Sequence, residues 1–318
     1  MATLLYVIGA QKAGTTWLSE YFRKHPQVYV PPIKELHFFS QHFLPRELVG
    51  SSVPEFSQRL QELWNRREEA DAEEREAIEE EVGAIIDRLA MTPKTYLPFF
   101  EKRKGDESVF VDNTPAYALL KKNHFQFLDR IHPDVKFVYL LRDPVDRAWS
   151  QFRMLERDRN IPAQQSVQRF PQALRNETIY LRSNYVRTLN QLLQAVPRSQ
   201  VFLGFYENLF EEKSIRALCD FLLIEERPAN FDEKINAGDE IELPPQLRDA
   251  ARRYFQPVYQ AVGEFFGRLG VAVPWEMPGA ERPAPSPATE DSEEETLPSE
   301  ETIGDELLSG EAAENVEN

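Results

Sequence analysis

The stretch Leu4–Tyr21, with the sequence LLYVIGAQKAGTTWLSEY, constrains the fold more than any other part of the chain. It opens with the apolar run Leu4–Ile8, which is long enough for one buried strand. A loop rich in small residues follows over Gly9–Thr15, and large apolar residues then recur at helical spacing from Trp17. A strand, a small-residue loop and a helix in this order are typical of an anion cradle, because backbone N–H groups of the loop and the helix N-terminus point at the ligand. The sequence therefore predicts a phosphate-binding loop.

The two glycines of this loop have the spacing of the nucleotide P-loop, which continues with Lys and then Ser or Thr. After Gly9 and Gly14 the chain instead has Thr15 and Thr16, and the lysine lies inside the loop at Lys12. A P-loop NTPase or kinase needs its lysine on the β- and γ-phosphates, and it needs a hydroxyl and a carboxylate on Mg²⁺. The glycine spacing is that of the P-loop, but the lysine stands at a different position. This difference indicates that the loop binds a group other than the β- and γ-phosphates of a nucleoside triphosphate.

The segment QKAGTTWL resembles the 5′-phosphosulfate-binding loop of sulfotransferases that use 3′-phosphoadenosine 5′-phosphosulfate (PAPS). The resemblance implies that PAPS is the sulfuryl donor and that adenosine 3′,5′-bisphosphate is the nucleotide product. Because a sulfuryl group carries less charge than a γ-phosphate, we expect that no metal is required. The resemblance also implies which loop residues bind the nucleotide: Gln11, Lys12, Ala13, Gly14, Thr15, Thr16 and Trp17. Lys12 is expected to be catalytic as well, since its charge would meet the leaving phosphate.

A second candidate segment, KELHFF at 34–39, places a base, an acid and an imidazole among aromatic residues. Burial against phenyl rings would raise the pKa of Glu35, and pairing with Lys12 or Lys34 would lower it. Either arrangement can prepare the carboxyl group for proton transfer. The segment resembles the version found in heparan sulfate 3-O- and N-sulfotransferases, in which the Glu is the catalytic base. Glu35 is therefore the predicted base, and His37 either assists it or packs in the core.

The run Lys136–Leu141 is the clearest strand in the sequence, and Arg142 follows it directly. The next residues, Asp143-Pro144, are typical of the first turn of a helix. A P-loop NTPase would place a Mg²⁺-binding acid at this strand end, whereas arginine binds phosphate in a bidentate manner. The segment resembles the family's 3′-phosphate motif, Arg-Asp-Pro-x-x-Arg followed by Ser. That resemblance implies that Arg142 and Ser150 bind the 3′-phosphate.

Two segments depart from the family's pattern. Many relatives have Lys where this chain has Asn113, and the missing cation argues against a highly anionic acceptor such as heparan sulfate. The segment Lys234–Gly238 resembles the loop that closes over the nucleotide, although Asp239 stands where relatives often have Arg. Lys234 is the nucleotide-binding candidate in this loop, and a plain linker is the alternative.

Charge is distributed unevenly along the 318 residues, whose net charge is −16. The segment 276–318 holds 14 acidic residues and one basic residue, whereas the remaining residues hold 39 acidic and 36 basic ones. The nearly neutral body argues against nucleic acid as a partner. We expect a sulfotransferase domain over 1–275, which contains a charge-dense helical insertion over 55–92. A disordered acidic tail is expected over 276–318.

The alternation of strands and helices predicts an α/β fold, with one domain and a central parallel sheet flanked by helices. No apolar run reaches membrane-spanning length, and the single cysteine, Cys219, cannot form an internal disulfide. These features predict a cytoplasmic protein without a membrane span. The predicted acceptor is a small molecule, a glycan or a lipid. The alternative functions are a P-loop kinase that phosphorylates a small hydroxyl compound and a binding module that uses the acidic tail.

Overall fold

Five parallel strands form one sheet at the centre of the molecule. The computed structural model describes residues 2–49, 51–232 and 241–277. Its strands are β1 (Thr3–Gly9), β2 (Val28–Tyr29), β3 (Val109–Asn113), β4 (Val135–Leu141) and β5 (Val201–Phe205). They lie in the order β2-β3-β1-β4-β5, and each neighbouring pair is parallel. The predicted single-domain α/β fold with a central parallel sheet is confirmed.

Helices connect the strands, as crossovers between parallel strands require. The described residues contain fifteen α-helices: α1 (Thr15–Arg23), α2 (Phe38–Phe43), α3 (Arg46–Val49), α4 (Val53–Arg67), α5 (Ala72–Leu89), α6 (Tyr96–Glu101), α7 (Lys122–Asp129), α8 (Pro144–Asp158), α9 (Ala163–Ala173), α10 (Glu177–Ser183), α11 (Tyr185–Leu193), α12 (Tyr206–Leu209), α13 (Glu212–Leu222), α14 (Pro245–Tyr254) and α15 (Gln256–Arg268). Short 3₁₀ helices lie at Pro115–Leu119 and Arg198–Gln200. None of the described helices is long and apolar enough to cross a membrane.

The middle strand, β1, is buried along its whole length, and its side chains belong to the hydrophobic core. A strand that is covered on both faces reads as a continuous apolar run, which is why the sequence predicts it well. β3 and β4 pair with the two sides of β1. Because the three strands are parallel, their carboxyl ends at Gly9, Asn113 and Leu141 lie at the same edge of the sheet. The loops that follow them therefore meet at this edge.

The charge-dense segment forms two helices, α4 and α5, which we call the α4–α5 hairpin (residues 53–89). Arg59 donates to Glu81 across it at 2.6 Å, and Ile85 is fully buried. Trp64 is 61% exposed, so only some of the apolar residues of these two helices pack in the core. The predicted limits of the insertion and of the domain stay predictions. The predicted tail from 278 onwards lies outside the described residues.

Candidate active site

The loop between β1 and α1 has the backbone of an anion cradle. Gly14 precedes α1 with a φ of 84°, and Lys12 has a φ of 71°, so both lie in the left-handed region. A Cβ at Gly14 would lie 2.6 Å from Cδ2 of Leu209, so any other residue would have to displace that side chain and adopt a left-handed backbone. No side chain of the described residues caps α1, and its first turn holds no acidic residue. The N–H groups of this turn can therefore bind an anion.

Lys12 lies in a cluster of positive charges at this loop. Its Nζ is 4.0 Å from Sδ of Met154 on α8, and no carboxylate of the described residues pairs with it. Burial lowers the pKa of Lys12, and the charges of four cations lower this pKa further: Lys34, Arg157, Arg142 and Arg153. An anion bound among these groups would reduce their mutual repulsion, so the loop is suited to a strongly negative ligand.

Arg142 follows β4 and is joined directly to the phosphate loop. Its Nη1 donates a hydrogen bond to the carbonyl oxygen of Lys12 at 2.9 Å. Its guanidinium lies over the ring of Tyr206, with Cζ 4.3 Å from the ring centroid, and Tyr185 Oη donates to its carbonyl oxygen at 2.6 Å. The structure thus brings together two groups that the sequence placed 130 residues apart. The arrangement leaves the remaining guanidinium N–H groups of Arg142 close to the loop.

The helix that follows Arg142 begins at a buried aspartate. Asp143 accepts hydrogen bonds from the N–H groups of Val145 and Asp146 at 2.9 and 3.1 Å, and from Tyr259 Oη at 2.6 Å. Burial raises the pKa of Asp143. Its own N–H donates to Oε1 of Glu207 at 2.8 Å, so this acid in the first turn of α12 also fixes the end of β4. These contacts hold the backbone from which Arg142 projects.

Two further polar residues of the predicted 3′-phosphate motif, Arg147 and Ser150, have different surroundings. Arg147 is fully buried and donates to Ser183 Oγ at 2.6 Å and to the Ile179 carbonyl at 2.7 Å, so it joins α8 to α10. Burial lowers the pKa of Arg147 to about 10. Ser150 is half-buried on α8, and among the described residues its hydroxyl makes no hydrogen bond. The structure therefore does not join Ser150 directly to Arg142.

Glu35 and His37 form a hydrogen-bonded pair after β2. Oε2 of Glu35 lies 3.0 Å from Nε2 of His37, and the two side chains are 24% and 15% exposed. Burial raises the pKa of Glu35, but the hydrogen bond and charge of His37, with the charges of Lys34 and Arg182, bring it below its ordinary value. From the sequence alone, the pKa of Glu35 could be either raised or lowered. The structure favours the ionised carboxylate and makes His37 the main partner.

The backbone around this pair is unusual and is held by a buried aspartate. Glu35 and His37 both have a φ of 54°, a conformation that is uncommon for residues with a side chain. The N–H of His37 donates to Oγ1 of Thr114 at 3.3 Å, and Thr114 donates to Asp112 at 2.6 Å. Phe39 N–H donates to Tyr117 Oη at 3.3 Å. The segment is thereby fixed to the end of β3.

Asp112 is the centre of these contacts. It is fully buried and also accepts hydrogen bonds from Tyr96 Oη at 2.8 Å and Tyr117 Oη at 2.9 Å. Burial raises the pKa of Asp112, although its three hydroxyl donors oppose this. The next residue, Asn113, donates from Nδ2 to the carbonyl of Thr15 at 2.7 Å. The residue that replaces the family's lysine therefore contacts the start of α1.

The remaining predicted nucleotide-binding residues differ in how much of their side chain is accessible. Gln11 and Thr16 are half-buried, whereas Ala13 and Thr15 are buried. Trp17 is 6% exposed and donates from Nε1 to the carbonyl of Asn230 at 3.2 Å. Its ring is stacked against Tyr21 and Phe231, at centroid distances of 6.0 and 5.9 Å. Lys234 lies outside the described residues.

Arg182 on α10 lies near the candidate site, and the sequence did not reveal it. It is 8% exposed, donates from Nη2 to the carbonyl of Leu48 at 3.2 Å, and lies near enough to Glu35 to lower the pKa of that carboxyl group. Nothing distinguishes it in the sequence from other arginines on amphipathic helices. Within the described ranges, no group of three or more His, Cys, Asp or Glu side chains could hold a metal ion.

A sequence profile described as the sulfotransferase family matches residues 5–228, a range that includes the phosphate loop, Glu35 and Arg142. The chain belongs to the sulfotransferase family. Among solved structures, it is similar to a sulfotransferase from Alicyclobacillus acidocaldarius, with a TM-score of 0.58 and 22% sequence identity. The alignment covers 83% of this chain and 95% of that one, which shows a shared fold.

Two further solved structures are more distant. The sulfotransferase domain of the olefin synthase from Synechococcus PCC 7002 has a TM-score of 0.44 and 18% identity, over 86% of this chain and 95% of that domain. The sulfotransferase domain from the curacin biosynthetic pathway has a TM-score of 0.40 and 16% identity, over 72% and 75%. No curated protein sequence is similar enough to count as a match. The family membership predicted from the loop is confirmed, whereas the heparan sulfate-like subtype stays a prediction.

Proposed function

We propose that the protein transfers a sulfuryl group from PAPS to a hydroxyl or an amine of an acceptor molecule. The observation that carries the proposal is the cluster of cations around Lys12, which lies beside an uncapped helix N-terminus in a chain of the sulfotransferase family. PAPS is anionic at both its 5′-phosphosulfate and its 3′-phosphate. Lys12 and the N–H groups of the loop suit the first group, and Arg142 suits the second.

Glu35 is the proposed general base. In a direct transfer, the acceptor atom forms a bond to sulfur while the bond from sulfur to the 5′-phosphate oxygen breaks, and the acceptor's proton passes to the Glu35 carboxylate. A base must be ionised beforehand, and the hydrogen bond from His37 favours that state. Negative charge grows on the leaving phosphate, where the Lys12 ammonium and the loop N–H groups would stabilise it.

Donor binding is tested by thermal unfolding with adenosine 3′,5′-bisphosphate. A ligand of the native state adds about 2.7 kcal/mol of stability at a concentration of 100 times Kd, so we expect a higher Tm without Mg²⁺. Adenosine 5′-monophosphate lacks the 3′-phosphate and should stabilise the protein less, and Arg142→Ala should reduce the difference between the two ligands. Stabilisation only by ATP with Mg²⁺ would indicate a kinase, and stabilisation by neither would indicate a binding module.

Sulfuryl transfer is tested by adding PAPS and the protein to pools of candidate hydroxyl and amine compounds and measuring mass gains. Once an acceptor is found, Glu35→Gln is the decisive variant. Glutamine keeps the shape of the side chain but cannot accept the proton, so we expect a rate loss of about 10²–10⁴-fold with unchanged binding of the bisphosphate. Activity that survives in Glu35→Gln and disappears in His37→Ala would make His37 the base.

A further inference from the structure

The segment that carries Glu35 and His37 is in contact with Arg88 of the α4–α5 hairpin. Arg88 lies in the last turn of α5 and is 6% exposed. Its Nε donates a hydrogen bond to the carbonyl oxygen of Leu36, the residue between Glu35 and His37. Its Nη2 donates to Oε1 of Gln41 at 2.9 Å. One guanidinium therefore binds this segment at two points.

Aromatic rings restrict the position of this guanidinium. Cζ of Arg88 lies 5.5 Å from the ring centroid of Phe38 and 5.7 Å from that of Phe56. Phe56 belongs to α4, so both helices of the hairpin contribute to the contact. Burial lowers the pKa of Arg88, and the guanidinium nevertheless remains charged, because arginine is not deprotonated in proteins. A charge held in this way between rings and two oxygen acceptors has little freedom to move.

The backbone of the segment depends on such support. The left-handed conformation of Glu35 and His37 persists only where surrounding contacts determine it. The N–H group of His37 is bound by Thr114, as described above, whereas Arg88 binds the carbonyl group of the preceding residue. The peptide group between Leu36 and His37 is thus held at both of its polar atoms. These bonds fix the backbone from which the carboxylate and the imidazole project, and Oγ of Ser40 lies 3.0 Å from Nδ1 of the imidazole.

We propose that Arg88 is a positioning residue, which keeps the hydrogen bond between Glu35 and His37 in place and makes the α4–α5 hairpin part of the support of the active site. The consequence for catalysis rests on the proposed function. The effect on the Glu35–His37 hydrogen bond does not, so it can be measured separately.

The test variant is Arg88→Met, which removes both hydrogen bonds and keeps much of the apolar length. Donation to Glu35 requires a proton on Nε2 of His37, which both the Nε2–H tautomer and the imidazolium carry. We expect the ¹⁵N NMR signals of the His37 ring, assigned by comparison with His37→Gln, to show a protonated Nε2 in the wild type and a lower degree of Nε2 protonation in the variant. The transfer rate should fall about 10²-fold, as for other misplaced catalytic groups. Affinity for adenosine 3′,5′-bisphosphate should not change, and Arg88→Lys should recover part of the rate.

The matched control is Arg59→Met. Arg59 pairs with Glu81 inside the same hairpin, and its hydrogen bonds do not reach the segment 34–41. Both variants are expected to lower Tm, but only Arg88→Met should change the His37 signals and kcat. If Arg88→Met does not fold, Arg88→Lys and Arg59→Lys provide the same comparison.

Two results would overturn the proposal: unchanged His37 signals when Arg88 is replaced, or an equal change when Arg59 is replaced. A wild-type protein that does not bind the bisphosphate would instead overturn the proposed function, and it would leave the NMR comparison valid.

Discussion

His37 lies 3.0 Å from Glu35 and favours the ionised form of its carboxyl group. Burial alone would raise the pKa of the Glu35 carboxyl group, because the charged form loses solvation. The hydrogen bond and charge of His37 oppose burial, as do the charges of Lys34 and Arg182, and the pKa falls below its ordinary value. The carboxylate is therefore ionised at neutral pH, as a general base must be. Without His37, only the charges of Lys34 and Arg182 would oppose the effect of burial on the pKa of Glu35.

This balance predicts a change in the pH profile of His37 variants. As the proposed general base, Glu35 would act in its deprotonated form, so kcat/KM should fall on the acid side as pH drops through the pKa of Glu35. In His37→Ala this pKa rises, and the acid limb should move to higher pH. His37→Gln keeps an N–H donor and should remain closer to the wild type. The measurement is kcat/KM against pH for the three proteins, and identical acid limbs would mean that His37 only packs.

The sequence singled out Glu35 and His37 as candidates, but it did not indicate their arrangement. Glu35 and His37 stand out because an acid and an imidazole among phenylalanines are unusual. Their hydrogen bond depends on left-handed backbone at both positions, which no local pattern indicates for a glutamate. Arg182 and Arg88 reach the segment from helices distant in the sequence. Such contacts depend on how helices pack against the sheet, so a single sequence could not reveal them.

At the scale of elements, the strands were the most predictable part of the fold. All five correspond to the apolar runs of the sequence within one or two residues, because strands of a buried parallel sheet have little polar interruption. Helices were less predictable. Apolar residues recur at helical spacing over 182–196, yet the structure ends α10 at Ser183 and begins α11 at Tyr185. The side chain of Asn184 accepts a hydrogen bond from Arg187 N–H and caps α11, which explains the break.

Two glycine-to-alanine changes, one at the start of α1 and one in α15, are expected to have opposite effects on stability. At Gly14, a Cβ would lie 2.6 Å from Leu209 and the backbone is left-handed, so Gly14→Ala should lower the free energy of unfolding by about 1–3 kcal/mol. It should also weaken bisphosphate binding. At Gly267 in α15, a Cβ would meet nothing within 4 Å, so Gly267→Ala should raise stability by up to about 1 kcal/mol.

Urea unfolding and bisphosphate titration of both variants check this prediction. Gly267→Ala is the control for the substitution itself, since it adds the same methyl group to an open helical position. Normal stability and normal binding in Gly14→Ala would show that the loop does not need the left-handed residue at the start of α1.

At the scale of the whole molecule, Trp275 is the last buried residue of the described hydrophobic core. Its side chain is 6% exposed, and its ring lies 5.4 Å from Phe205, 5.9 Å from Tyr185 and 6.1 Å from Tyr259. Tyr259 in turn donates to Asp143 at the start of α8. The last described apolar residues are therefore connected to the helix that follows Arg142. The predicted domain limit at 275 coincides with this residue, and it stays a prediction.

The final prediction concerns the chain beyond this point. Residues 278–318 are rich in Glu, Ser and Pro and hold few apolar side chains, so they have little to bury against the body. We expect a protein truncated after Met277 to keep its Tm and its affinity for adenosine 3′,5′-bisphosphate. Trp275→Ala in the truncated protein should lower stability by about 3–5 kcal/mol, the usual effect of removing a buried Trp ring. If truncation alone lowered Tm as much as Trp275→Ala does, the acidic segment would contribute to the folded body, and the domain would extend past 275.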